Sequence, residues 1–252
     1  MGVIRSIGRN AGGFFFVLLL SMAILMMAVI EITEYSNLKP LVTDMIAKQF
    51  TKQINAEQLS SMHTQLLSQC SGEETVEMAA GEILNVTLNC SSVKTGKPED
   101  LGTLIGGAVF DKIYYKEYDC EFIQCYQQSD TQGKISLFST SFANQFFKKV
   151  LIYLWIGTGL FGLMLLISSK GWEIPKNFGK SLIVVGMPII FTKFLKEKIN
   201  LPTEASAAQP LINKMLNSIS NAYLIAIVAG AVLVVIGYLG NYMAQRKGTK
   251  KK

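Results

Sequence analysis

The chain has 252 residues, half of them hydrophobic, and a net charge of +6. Its apolar residues collect in uninterrupted runs long enough to cross a hydrocarbon core of about 30 Å, which excludes a purely soluble protein. Residues 33–147 carry a net charge of −6 and the remainder +12, a split that excludes the single basic surface a nucleic-acid binder needs and that follows from membrane topology.

Residues 1–11 read as a short cytosolic N-terminus carrying Arg5 and Arg9. The apolar run that follows exceeds a usual signal-peptide core and lacks an A-x-A cleavage site, so 12–32 is expected to be an uncleaved signal anchor and the first transmembrane helix.

Residues 33–147 form the polar insert, expected to fold as a small extracytoplasmic α+β domain between the first and second spans. It holds all four cysteines, the only histidine and 14 of the 18 acidic residues. Leu38, Leu41, Val42, Met45, Ile46 and Phe50 form one apolar helical stripe, with Pro40 near its start. Asn55 and Gln58 match a capping box for a second helix bearing Leu59, Met62, Leu66 and Leu67. His63 sits beside that stripe and reads as a helix-surface residue; with no second histidine in the chain, a multi-histidine metal site has nothing to build on.

Residues 74–77 and 83–90 read as short strands, the second through Ile83, Leu84, Val86 and Leu88. Asn85-Val-Thr and Asn89-Cys-Ser match the glycosylation sequon, making Asn85 and Asn89 candidate acceptors. Pro98-Glu-Asp100 opens a helix lined by Leu101, Leu104, Ile105, Val109, Phe110 and Ile113, in which Gly106-Gly107 leaves room for a close neighbour. Residues 134–138 suggest a further strand, and 140–149 a helix running into the second span.

Cys70, Cys90, Cys120 and Cys125, confined to this one segment, suggest two disulfides. Three connectivities exist, and Cys70–Cys90 with Cys120–Cys125 is preferred because each closes a local loop; spacing alone does not choose. A four-cysteine zinc site would need a second closely spaced pair, and a redox pair would more typically read C-x-x-C. Tyr114, Tyr115, Tyr118 and Tyr126 near the second pair suit either a contact surface or core packing.

The run Phe110-Asp-Lys-Ile-Tyr-Tyr-Lys-Glu-Tyr-Asp-Cys-Glu-Phe-Ile-Gln-Cys125, with its flanking spans, resembles multi-pass membrane proteins of archaea that have no established activity. The resemblance implies an archaeal cell membrane and makes glycosylation of Asn85 or Asn89 chemically reasonable. It supplies no catalytic or binding residue.

The second span is expected at 148–168, with Tyr153 and Trp155 as interfacial anchors. After a cytosolic loop at 169–177, the third at 178–195 is barely long enough and contains Pro188, so a re-entrant hairpin competes with a crossing. An extracytoplasmic loop with an amphipathic helix follows at 196–220, where Pro210-Leu-Ile echoes Pro40-Leu-Val. The fourth span at 221–243 ends in a basic cytosolic tail, 244–252. Ten basic residues flank the proposed inner side and eight the outer, so the rule that positive charge stays inside places both termini in the cytosol. No charged residue lies mid-span, which weighs against a transporter or pump. Thr158-x-x-x-Gly162 and Ala226-x-x-x-Gly230 offer small-residue faces for helix packing or a homo-oligomer.

No catalytic constellation, metal site or cofactor motif is present in the sequence. The leading expectation is therefore a non-enzymatic protein of the cell membrane, embedded in the lipid bilayer, whose stapled domain binds a protein partner or scaffolds an envelope assembly and binds no nucleic acid. The alternatives are a transporter, channel or accessory subunit, and a thiol oxidoreductase or lipid-modifying enzyme.

Overall fold

The computed structural model describes residues 2–79, 85–190 and 209–249. These are mostly helical, with one small sheet. In order they form α1 (Gly2–Thr33), α2 (Tyr35–Gln53), α3 (Ala56–Gln69), β1 (Thr75–Ala79), β2 (Asn85–Asn89), α4 (Cys90–Thr95), a 3-10 turn (Pro98–Asp100), α5 (Leu101–Tyr114), α6 (Phe122–Gln128), α7 (Thr131–Phe138), α8 (Ser141–Ser168), α9 (Glu173–Gly186) and α10 (Gln209–Thr249). The chain divides into two compact units, one centred on Glu31–Phe146 and the other formed by the chain on either side of it.

Among the described residues, three helical stretches are long and apolar enough to cross a membrane: Asn10–Thr33, Ser141–Ser168 and Ile212–Ala244. The first, 24 residues long, spans about 36 Å at 1.5 Å per residue. Their outward faces leave Tyr153, Ile167 and Ile225 between 68% and 78% exposed. A water-soluble surface rarely tolerates so continuous an apolar face, whereas lipid does. Inside the flanking unit, Phe15 stacks on Phe161 with centroids 4.9 Å apart, and Ala28, Val185, Ile219 and Tyr223 share a core.

α9 reaches only Gly186 and gives way to a turn at Met187–Pro188, consistent with proline's missing N–H and its restriction of the preceding residue. The rest of the expected third span, 191–195, lies outside the described residues, as does most of the loop that follows. The amphipathic segment that begins at Pro210 is not separate from the last span: both belong to the single 41-residue helix α10.

The polar unit is built on α2 against α5. A Cβ on Gly106 would lie 3.0 Å from the Thr43 carbonyl oxygen, and one on Gly102 would lie 3.4 Å from the Ala47 Cα, so these two glycines permit the close approach. The expected α2 stripe is correct in outline but rotated. Thr43 is buried where Met45 is 43% exposed. The capping box forms as its sequence implies: Gln58 N–H donates to the Asn55 side chain at 2.8 Å, and Asn55 N–H to the Gln58 side chain at 3.2 Å.

β1 and β2 form one antiparallel hairpin in which Val76 pairs with Leu88 and Met78 with Val86. Val86 and Leu88 point inward while Asn85, Thr87 and Asn89 face out; Ile83 and Leu84 lie outside the described residues. A core of Leu66, Val76, Leu88, Val93, Leu101 and Ile105 closes over the hairpin.

Two expectations are corrected. Residues 134–138 are not a strand but the second half of helix α7. Asp130 caps that helix by accepting from Gly133 N–H at 2.8 Å, and the two-stranded sheet offers 134–138 no partner. His63 is not on the helix surface. Four residues after Leu59 and three before Leu66, it falls on the inward face of α3, is 8% exposed, and places Nε2 3.1 Å from the Val93 carbonyl oxygen.

Candidate interaction surface

The structure pairs Cys70 with Cys90 and Cys120 with Cys125, with Cα separations of 5.4 and 5.6 Å. The two bridges do different work. Cys70 and Cys90 are fully buried, tie the end of α3 to the end of β2, and belong to the core itself. Cys120 and Cys125 clip the approach of the chain to the first turns of α6. That helix has only seven residues, far short of the length at which an isolated helix holds in water.

The clip is backed by an aromatic lattice. Phe122 stacks on Phe146 with centroids 4.3 Å apart and meets Phe138 edge-on at 5.8 Å. Tyr118 stacks on Phe142 at 5.4 Å, and Tyr126 meets Phe138 edge-on at 5.7 Å. Lys134 places its ammonium 5.1 Å above the Tyr126 ring. With the inner face of α6 and α7 anchored through Phe122, Cys125 and Leu137, the outer face presents Ile123 at 58%, Tyr126 at 39% and Phe138 at 38% exposed.

The four tyrosines singled out in the sequence do not share one role. Tyr114 is buried, and its hydroxyl donates to the Thr33 carbonyl oxygen at 3.3 Å. Tyr115 is exposed beside it, packed edge-on at 5.1 Å. Tyr118 and Tyr126 belong to the lattice around α6. Burial pushes the Tyr114 and Tyr118 phenols up, which favours their neutral forms.

Asn85 and Asn89 both stand on the exposed face of β2. Asn89 is already occupied as the cap of α4, accepting from Ser91 N–H at 2.9 Å and from the Ser91 hydroxyl at 2.8 Å. A glycan on Asn89 would compete with that cap, whereas the Asn85 side chain carries no such duty.

Sequence reasoning missed the polar clamp between α2 and α5. Tyr35 donates to Asp111 at 2.7 Å, while Lys39 donates to the Tyr35 hydroxyl at 2.6 Å and to Asp111 at 2.9 Å. The Tyr35 hydrogen bond is the main influence holding Lys39 above its ordinary value, with Asp111 adding to it. The Lys39 ammonium pulls Tyr35 down, but burial and the Asp111 carboxylate outweigh it and leave Tyr35 raised. The Tyr35 phenol, held between a cation and an anion, braces α2 against α5. The four-residue spacing of Tyr35 and Lys39 on one helix was the available signal.

No protein-family model matches the chain, and no curated protein or solved structure is similar to it.

Proposed function

We propose that the chain is a four-span protein of the cell membrane, with both termini cytosolic and its polar unit on the extracytoplasmic side, and that this unit binds a protein partner through the outer face of α6 and α7. The observation that carries the reading is the surface formed by Ile123, Tyr126 and Phe138. It is apolar, aromatic and held rigid by a disulfide and stacked rings beneath it. Rigid aromatic surface loses little conformational freedom on docking, and for that reason aromatics are favoured at the centres of interfaces. The paired cysteines support an oxidising compartment for the unit. The close packing of α9 on α10 supports a fourth helix in the bundle.

The test is affinity capture from native membranes with the full chain, comparing wild type with Ile123→Glu and Tyr126→Glu. The reading expects one protein to copurify with wild type and be lost from both variants. An unchanged set of copurifying proteins would overturn it.

A second reading, as a transporter or accessory subunit, is favoured by a cleft of about 550 Å³ in the flanking unit lined by Asn10, Glu173, Lys176 and Lys180. Uptake or conductance in reconstituted vesicles separates it from the first.

A further inference from the structure

The polar unit contains an open pocket of about 590 Å³ between α2, α5, β2 and α4, within the size range of small-molecule sites. Its apolar floor includes Leu88, Leu104 and Ala108, and its polar wall includes Lys39, Thr43, Thr103 and Lys112. Three observations say that this space is a site rather than a packing gap.

The first is Thr43. It is 7% exposed, and its hydroxyl has no hydrogen-bond partner among the described residues. Other helical threonines here return the hydroxyl to a carbonyl one turn back, as Thr64 does to Ser60, Thr95 to Ser91 and Thr158 to Leu154. Thr43 does not. A buried, unpartnered hydroxyl is destabilising, and because the oxygen itself is closed to solvent it meets a ligand only after rotation about χ1 turns it toward the pocket.

The second is charge. Lys39 uses two of its three N–H donors, on Tyr35 and Asp111, and Lys112 uses one, on the Asn85 carbonyl oxygen. Among the described residues, the pocket therefore offers spare ammonium donors from two cations, against a single carboxylate, Asp111, that is already paired.

The third is Gly107. Unlike Gly102 and Gly106, it is not pressed by a neighbouring backbone: a Cβ there would meet only the Lys39 side chain, at 3.8 Å. Mid-helix glycine disfavours α5 without serving its packing on α2, and it leaves this part of the pocket wall without a side chain.

We propose that this pocket binds a phosphorylated polyol, with Lys39 and Lys112 taking the phosphate and Thr43 and Thr103 the hydroxyls. The same chemistry is carried by soluble sugar phosphates and by glycerophosphate lipid headgroups. The site is independent of the α6–α7 surface, so either proposal can fail alone.

The test is calorimetric titration of the full chain in detergent with glucose 6-phosphate, glycerol 3-phosphate, glucose and inorganic phosphate. A parallel arm uses flotation of phosphatidylcholine vesicles with and without phosphatidylglycerol. Saturable binding of a phosphorylated polyol is expected, at least about tenfold tighter than glucose or inorganic phosphate. Loss of a hydrogen bond to a charged group implies about tenfold weakening in Lys112→Met, and Thr43→Val should weaken binding several-fold. Gly107→Leu should abolish binding without lowering the melting temperature. Binding of the soluble esters assigns a free ligand; selective enrichment on phosphatidylglycerol vesicles, lost in Gly107→Leu, assigns a lipid headgroup. No saturable binding in either arm, or binding unchanged in Gly107→Leu and Lys112→Met, would overturn the proposal.

Discussion

A Cβ added to Gly179 would fall 2.5 Å from the carbonyl oxygen of Gly230, so α9 and α10 meet backbone to backbone. The contact repeats on either side of this pair. Gly186 is pressed against the Tyr223 carbonyl oxygen at 2.7 Å, and Gly237 against the Lys176 backbone nitrogen at 2.8 Å. Rising numbers on one helix meet falling numbers on the other, the signature of an antiparallel pair, and small residues allow such approach where lipid supplies no hydrophobic drive between helices. A larger side chain here must displace backbone. Gly179→Leu and Gly186→Leu should each destabilise the detergent-solubilised protein by about 3 kcal/mol, read as a fall in melting temperature. Gly159, which has open space around it, should accept alanine with little change.

The two disulfides should differ in their contribution. Loop closure gives about 3 kcal/mol for Cys70–Cys90, whose partners are 20 residues apart, and about 2 kcal/mol for Cys120–Cys125, whose partners are five apart. Replacing Cys70 and Cys90 together with alanine should lower the denaturation midpoint more than replacing Cys120 and Cys125 together. Removing the second pair should instead expose α6 to proteolysis. Four reactive thiols in the unreduced native protein would contradict both pairings.

His63 offers a prediction against a functional role. Its Nε2 lies on the Val93 carbonyl oxygen in a buried site, and removing the ring leaves that oxygen without its partner. His63→Ala should cost about 2 kcal/mol in denaturant unfolding while leaving partner capture by the folded fraction unchanged.

The Tyr35–Lys39–Asp111 brace sets an alkaline limit. Lys39 is raised above 10.5 and Tyr35 above 10.0. A group whose pKa is raised by folding adds stability that is fully present below its unfolded value and is lost as pH climbs through the folded one. Wild type should therefore lose stability above about pH 10, and Lys39→Met, which lacks the brace, should show a shallower loss over the same range. Lys39 and Asp111 are both partly exposed, so the difference should be modest and weaken with salt. Denaturation midpoints from pH 8 to 11.5 provide the comparison.

Much of the polar unit was legible because its signals are local. The Asn55–Gln58 cap, the alternation of Val86 and Leu88, and the opening of α5 at Pro98-Glu-Asp100 each depend on residues within one turn or one strand. What escaped required knowing a partner. Thr43 looks polar until α5 is laid against it. His63 looks peripheral until α4 brings up the Val93 carbonyl oxygen. Residues 134–138 carry β-compatible side chains, and only the Asp130 cap and the missing strand partner decide for helix. The glycine contacts of α9 and α10 depend on the register of two helices far apart in sequence. Local small-residue spacing pointed to Ala226 and Gly230 but not to Gly179 and Gly186.

The central claim, a polar unit on the outside of a membrane protein with cytosolic termini, has a direct test. A membrane-impermeant maleimide is applied to intact cells bearing either Glu99→Cys, an exposed position in the polar unit, or a cysteine appended after Lys252. The Glu99→Cys protein should be labelled in intact cells, and the appended cysteine only after lysis. Labelling of the appended cysteine in intact cells, with Glu99→Cys protected until lysis, would contradict it.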